Sequence, residues 1–360
     1  MIAIAELTSI EQLSSMRLLW RALLGKTRGA TFFQSAEWLE AWWRYCGEGQ
    51  TLKVLCIGVG GKTIGMVPLT VRRETTDVGR LRTLTYPLDD WGTFYGPVGA
   101  NPTAALYAAM RHLQQSPRDW DLIDLRHVDE ARLDQGRTAN ALRMSGLSAL
   151  EQTWAELPAI RLDQWDAGEV FARHSQLRRA EHQLSNRGRL ISIRHRPAGN
   201  DVGPAEMRRD LLDDCLKLLR DRPENERQLI ADAYHAAALA AMVELNLVYL
   251  NGRPAACAIN FVNQGEVDVF AAAVDPELAP AATDVLRGRM LLDAMDLGDT
   301  VFRFSPRTAW LAEGWSNATL TSSRHTHFAS VGLRAQLLRL NQWGRRLLSQ
   351  KPVTVSDLPA

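Results

Sequence analysis

Several residue groupings in this 360-residue chain have side chains that could do chemistry. Between Thr83 and Val98 a stretch punctuated by glycine and proline mixes acids with aromatics. Within it Asp89, Asp90, Trp91 and Tyr95 are candidate contacts for a polar ligand, because loops of this kind often carry recognition groups. The same acids equally suit the capping of a turn. From Arg173 to Arg196 seven arginines meet one acid, Glu181. That run, with Arg178 as its candidate substrate contact, would attract phosphates, an anionic polymer or a membrane surface, or else form a solvated helix face. His325-Thr-His327 puts two imidazoles on one face of a strand, but no third ligand stands at a supporting spacing, so no metal is expected. Cys46, Cys56, Cys215 and Cys257 are scattered and make neither a metal motif nor a disulfide framework. No nucleophile elbow with an ordered serine, acid and histidine is present, which leaves covalent catalysis without support.

What must position these residues is a pattern stated twice. Val54 to Leu69 and Leu247 to Val262 each read as an apolar strand, a tight turn with Gly61 or Gly252 just before a basic residue, and a second strand rich in small residues. Downstream of each comes a helical stretch, Pro102 to Gln115 and Arg287 to Leu297, then an apolar strand, Trp120 to Arg126 and Thr300 to Ser305. The shared order predicts two α/β domains in tandem, residues 1–160 and 161–330, with an amphipathic helix and tail over 331–360. Two copies are too few for a solenoid. The length exceeds what one core usually fills, and 46% hydrophobic content suits globular cores. A net charge of +1 gives no global field that would imply a nucleic-acid partner. No signal peptide pattern and no apolar run near the roughly 20 residues of a membrane span are seen, so a cytoplasmic protein is expected.

Around this frame, residues 1 to 30 read as a helix with Leu13, Met16, Leu19, Trp20 and Leu23 on one face, followed by a loop with Gly25 and Gly29. Ser35 can cap a helix whose inward face holds Trp38, Trp42 and Tyr45, either as core or as an aromatic platform for sugar rings. Phe171 to Gly188 reads as a helix ended by glycine. Met207 to Leu219 and Gln228 to Val243 form a helix pair joined by a polar, proline-bearing connection. Leu333 to Leu348 sets leucines and Trp343 against Arg334, Arg339, Arg345 and Arg346, a basic amphipathic helix that packs on its own domain or makes peripheral contact with an anionic membrane. Trp310 and Trp315 are placed at the mouth of a second-domain cleft or in core packing.

With these elements in place, the chain resembles the GNAT-fold acyltransferases of the CelD-like branch, also described as having a BioF2-like acetyltransferase domain, and more distantly the Fem-type aminoacyltransferases. The resemblance spans roughly residues 30 to 330. It is carried by Phe32-Phe-Gln-Ser-Ala-Glu-Trp-Leu-Glu-Ala-Trp-Trp, the hairpin ending Gly65-Met-Val-Pro-Leu, Trp120-Asp-Leu-Ile-Asp-Leu-Arg, Leu177-Arg-Arg-Ala-Glu-His-Gln-Leu, and Leu250-Asn-Gly-Arg-Pro-Ala-Ala-Cys-Ala-Ile-Asn-Phe. It implies two GNAT-like α/β domains, each a mixed, partly antiparallel sheet flanked by helices. It also implies an acyl-CoA donor, acetyl-CoA for instance, held in the second domain with its diphosphate at a helix N-terminus. Gly288 falls where the family has a glycine before the apolar run Met290-Leu-Leu, and Arg287 and Arg289 flank it as phosphate contacts or as solvent-facing residues of an altered helix start. Two departures stand out. The serine and proline usual before that glycine are Leu286 and Arg287, and Arg303 stands where the family has an acid, with the following tyrosine and lysine absent.

The expectation is therefore an acyl-CoA-dependent N-acyltransferase acting on an amino sugar or other precursor of the cell envelope or exopolysaccharide. No general base can be named from the sequence. Two alternatives follow from the same residues: a Fem-type transferase that takes its group from aminoacyl-tRNA, and a domain pair that has lost catalysis and binds as a scaffold in polysaccharide synthesis.

Overall fold

Hairpin turns in which both central residues sit at positive φ open each half of the repeated pattern. Gly60 and Gly61 have φ of 57° and 77°, and Asn251 and Gly252 have 53° and 74°. A two-residue turn of this hand matches the natural twist of the strands it joins, which is why glycine and asparagine occupy it. The computed structural model describes residues 2–197 and 207–348, with the side chains of 342–348 outside the description.

In chain order the elements are β1 (Ile2–Leu7), α1 (Ile10–Ser15), α2 (Arg17–Leu24), α3 (Ala36–Cys46), β2 (Thr51–Val59), β3 (Lys62–Thr76), β4 (Gly79–Thr85), β5 (Val98–Gly99), α4 (Pro102–Gln115), β6 (Leu122–Val128), α5 (Arg137–Met144) and β7 (Leu150–Arg161). There follow α6 (Ala167–Ser185), β8 (Leu190–His195), α7 (Arg209–Leu218), α8 (Glu224–Leu239), β9 (Val243–Leu250), β10 (Arg253–Asn263), β11 (Glu266–Val274), α9 (Ala281–Asp296), β12 (Val301–Phe304), β13 (Ala318–Phe328) and α10 (Leu333–Leu348). The expected opening helix is shorter than its apolar pattern: residues 2–7 form a strand paired with β2, and the helical run breaks at Met16. Leu13, Trp20 and Leu23 still face the core. Ser35 caps α3 by accepting from the Trp38 N–H at 3.0 Å, and Trp38 and Trp42 are buried, so this face is core and not a sugar platform.

The chain divides into two compact units. The first comprises the residues up to Asp89, Phe94–Glu156, and those from Thr321 onward. Its strands run β1-β2-β3-β4-β6-β13-β7, with β5 on β3. The β1–β2, β2–β3, β3–β4, β3–β5 and β6–β13 ladders are antiparallel, and β4 pairs β6 in parallel. The second comprises Asp90–Thr93 and Leu157–Leu320, with the order β7-β12-β11-β10-β9-β8, antiparallel except β11 with β12. Residue 160, the expected domain boundary, lies within β7. That strand gives its first half to one unit and its last residues, paired with β12, to the other. The repeat β2-β3-β4-α4-β6 against β9-β10-β11-α9-β12 is thus real in element order, but each copy borders a strand that follows the other copy in sequence. α10 packs on the first unit through Ala335 and Leu338, against Leu81, Leu122 and Phe328, while Leu333, Leu337 and Leu340 stay exposed. Trp343, Arg345 and Arg346 lie outside the described side chains. No described helix is long and apolar enough to cross a membrane.

Charge is spent inside each unit. Arg303, 2% exposed, stands opposite Asp268 in the β11–β12 register, gives it two hydrogen bonds of 2.7 and 2.8 Å, and also reaches Glu266. Position 303, where an acid was expected, thus carries an arginine that is paired to acids on the neighbouring strand. In the first unit the buried Asp124 accepts from Arg126, Arg324 and Thr326. Three of the seven arginines of the run are neutralised as well: Arg173 pairs Glu169, and Arg194 and Arg196 pair the buried Glu244 together with Asp299.

Removing one partner of a buried ion cluster leaves the others desolvated and unpaired, so Arg303→Leu should lower unfolding free energy by about 3–5 kcal/mol. Urea titration at neutral pH checks this, and a loss below about 1 kcal/mol would show that the cluster does not hold the β11–β12 rung. Burial would raise the Asp124 carboxyl, but Arg324 and Arg126 outweigh it and hold the group well below its ordinary value of 3.8. A carboxylate with a depressed folded-state pKa stabilises the fold above its ordinary value and loses that contribution as pH falls below it. The stability difference between the wild type and Asp124→Asn, read from urea midpoints at pH 7, 4 and 3 (roughly spanning that window), should accordingly shrink toward the acid end.

Candidate active site

In the second unit β11 and β12 run parallel only over Glu266–Val269 and Val301–Phe304, after which they part. Phe270 is the extra residue of a bulge against β10, at the point of divergence. The space that opens is filled by the unit's own chain. Trp91 meets Phe270 with ring centroids 5.3 Å apart, and Arg307 lies 4.0 Å over Trp91 while pairing Asp90 at 2.8 Å. The Thr308 hydroxyl donates to the Val269 carbonyl at 2.9 Å. Asp90 and Trp91, expected to contact ligand, therefore form part of this closure. Their neighbours lie in the first unit: Asp89 accepts from the Trp42 indole and pairs Arg72, and Tyr95 is buried with its N–H on the His127 carbonyl.

The expected phosphate contacts are also placed otherwise. Alanines and other helix formers directly after Pro280 start α9 at Ala281, so Gly288 sits about two turns inside the helix and not at its start. A Cβ there would meet Leu177 of α6 at 3.1 Å, which makes Gly288 a helix-packing residue. Arg287 is buried, donates to the Leu311 and Glu313 carbonyls and the Asp284 carboxylate, and lies over Trp315. Burial, first of all, lowers its proton affinity, and Asp284 offsets this only in part. Neither residue is placed to grip a phosphate. Arg289 is exposed and pairs Glu181, and Arg178 is exposed on α6. Trp315 is core, whereas Trp310 is partly exposed.

Beside Arg289 a cavity of about 430 Å³ lies where α6 and α9 cross β8 and β9. Glu181, Arg194, Asn246, Arg289 and Asp293 line it. Arg194 and Asn246 are both anchored on Glu244, at 2.6 Å each, so the polar floor is held in place. Burial pushes the Asp293 carboxyl above its ordinary value, against the opposing pull of Arg289 and Arg194. Two guanidiniums, two carboxylates and an amide suit a polar, hydrogen-bonding ligand, and a carboxylate of raised pKa suits proton transfer. Arg194, Asn246 and Asp293 were not singled out from the sequence: β8 and α9 bring them together from far apart in the chain.

The first unit differs at the equivalent place. There β4 and β6 pair only through Thr83–Leu84 with Leu122–Ile123, and the opening beyond holds a cavity of about 300 Å³ at the start of α4. Tyr86 and Tyr95, with ring centroids 5.2 Å apart, line it and leave their buried hydroxyls without a hydrogen-bond partner. Lys26, Arg28 and Arg137 add positive charge to its wall. Just past β6, a short π-type turn carries Glu130 and Asp134 toward His325 of β13. Burial, then the neighbouring Asp134, pushes the Glu130 carboxyl up to about 7. His327, the other member of the expected histidine pair, instead meets the Ser148 carbonyl through Nδ1 and stacks edge-on with Trp120.

Residues 171–310 match the family model of the acetyltransferase (GNAT) domain. No curated protein sequence matches the chain. Among solved structures, the C-terminal domain of a candidate lysylphosphatidylglycerol synthetase from Agrobacterium fabrum superposes with a TM-score of 0.55 at 9% identity, over 92% of this chain and 96% of that one. FemX gives a TM-score of 0.55 at 12% identity, over 94% and 99%. L-PGS from Bacillus licheniformis gives 0.54 at 10%, over 91% and 96%. At such identities the likeness is one of fold. Residues 171–310 are thus similar to a GNAT-type acetyltransferase domain, in a chain whose fold is similar to those of FemX, the synthetase domain and L-PGS.

Proposed function

We propose that this protein is an N-acyltransferase that moves an acyl group from acyl-CoA, acetyl-CoA being the simplest case, to an amine on an amino sugar or related envelope or exopolysaccharide precursor. The observation that carries the reading is the acetyltransferase-domain match over 171–310. The polar 430 Å³ cavity within that domain supports a hydroxyl- and charge-bearing acceptor. A thioester is already activated, so the protein's tasks are few. The acceptor nitrogen attacks the thioester carbonyl, Asp293 takes the proton the nitrogen sheds, and the tetrahedral intermediate collapses with cleavage of the C–S bond and departure of the CoA thiolate, which is protonated from solvent. The donor's diphosphate is assigned to the first turn of α9, where the helix dipole favours an anion, and not to Arg287 and Gly288.

The whole-chain likeness to FemX and to a lysylphosphatidylglycerol synthetase domain favours a second reading, in which the transferred group is aminoacyl and its carrier is tRNA. The two readings separate by ligand. Isothermal titration should show saturable binding of CoA and acetyl-CoA, and silence at millimolar ligand would defeat the acyl-CoA reading. Binding of charged tRNA that strengthens as salt is lowered would instead support the aminoacyl reading.

For Asp293→Asn, kcat for acyl transfer should fall by on the order of 10²-fold, the usual worth of a positioned base. The base must be deprotonated to act, so the wild-type rate should decline as pH drops through the raised Asp293 value. That acid limb should be missing from the Asn variant. An unchanged profile would remove Asp293 from the reaction.

A further inference from the structure

The fully buried His325 lies in the middle of β13, 0% exposed, with neither ring nitrogen in a hydrogen bond. A buried imidazole that bonds to nothing forfeits the hydration of two polar atoms, so its surroundings call for a partner. What its Nε2 faces is a carboxylate: Glu130 Oε2 stands 3.5 Å away without a hydrogen bond between them, and that oxygen too has no donor. Asp134 completes a group of three in which one ligand atom from each residue lies within 4.8 Å of the others.

We propose that Glu130, Asp134 and His325 form a binding site for a divalent transition-metal ion in the first unit. The 3.5 Å between imidazole nitrogen and carboxylate oxygen is close to the edge, about 3.4 Å, of a tetrahedron whose metal–ligand bonds are about 2.1 Å. No separation exceeds that edge by more than about 1.4 Å, within the reach of a carboxyl rotating at the end of its side chain. Two carboxylates and one imidazole balance a 2+ ion, and a mixed nitrogen and oxygen set suits zinc, cobalt or manganese better than calcium or magnesium, which prefer oxygen alone.

The supports a metal site needs are also present. Thr138 donates to Asp134 from both its hydroxyl, at 2.6 Å, and its backbone N–H, which aims the carboxylate. Glu130 and Asp134 project from a π-type turn closed by bonds from Asp134 N–H to the Asp129 carbonyl and from Gln135 N–H to the Glu130 carbonyl. That winding is uncommon and occurs often at functional positions. Because Asp134 also lines the 300 Å³ cavity, a bound ion would stand at its wall with coordination positions left for a ligand there.

The test uses the full-length, untagged protein after chelator treatment and dialysis, titrated with Co²⁺ and followed by visible absorption and calorimetry. One Co²⁺ per chain, with the intense visible bands of low coordination and displacement by Zn²⁺, is the expected result. Glu130→Gln and Asp134→Asn should each weaken binding at least tenfold, and Thr138→Val, which removes only the supporting hydroxyl, roughly tenfold. His325→Asn should abolish the bands. Since His325 is buried, the two carboxylate variants carry the decision, with circular dichroism to confirm that they stay folded. Absence of saturable binding in the wild type, or binding that both carboxylate variants retain in full, would overturn the proposal and leave the cluster an ordinary acid–imidazole contact.

Discussion

A strand that loses its neighbour partway along leaves a row of backbone donors and acceptors that must find other partners, and both units are built around such a place. β4 with β6 and β11 with β12 are the parallel rungs, each only a few residues long. Beyond the second, threonine hydroxyls and a bulged phenylalanine take over: Thr308 reaches Val269, Thr93 reaches Phe304 at 3.5 Å, and Trp91 packs on Phe270. Beyond the first, the Tyr95 N–H satisfies the His127 carbonyl but the side chains leave room, so a cavity results with Tyr86 and Tyr95 in its lining. The same topological event produces a closed fork in one unit and an open one in the other, and the difference lies in what the loop before or after the fork can fill.

The abundance of arginine takes its meaning from the acids around it. Arg303, Arg194, Arg196, Arg126 and Arg324 all serve buried carboxylates, so their charge holds strands together and does not advertise a basic surface. The second-unit cavity is lined by both signs, with Arg289 and the Glu244-bound Arg194 beside Glu181 and Asp293. The cavity lies inside the segment that matches an acetyltransferase domain.

The duplicated hairpins, the capped tryptophan helix and α4 were legible because each rests on local chemistry. Gly61 and Gly252 admit positive φ, Ser35 caps the N–H of Trp38, and Pro102 follows the asparagine that caps its helix. The opening segment misled because Leu13 to Leu23 keep helical spacing across the break at Met16, while residues 2–7 become a strand only by pairing with β2. Gly288 misled because a motif read along the chain assumes where its helix begins, and Ala281 to Leu286 extend α9 backward.

From the order of residues alone came the elements, the repeat, and the resemblance to acyltransferases, since propensity, turn chemistry and periodicity act over a few neighbours at a time. Which side chains share a cavity was decided by tertiary structure. Arg194 meets Asp293, and Glu130 meets His325, only because a sheet places strands distant in sequence side by side, and no local rule reports that. Pairing across the fold likewise settled that Arg303 answers Asp268 and that Arg287 bonds to loop carbonyls. The energy of a buried charge depends on what surrounds it, and those surroundings come from segments the local sequence does not contain.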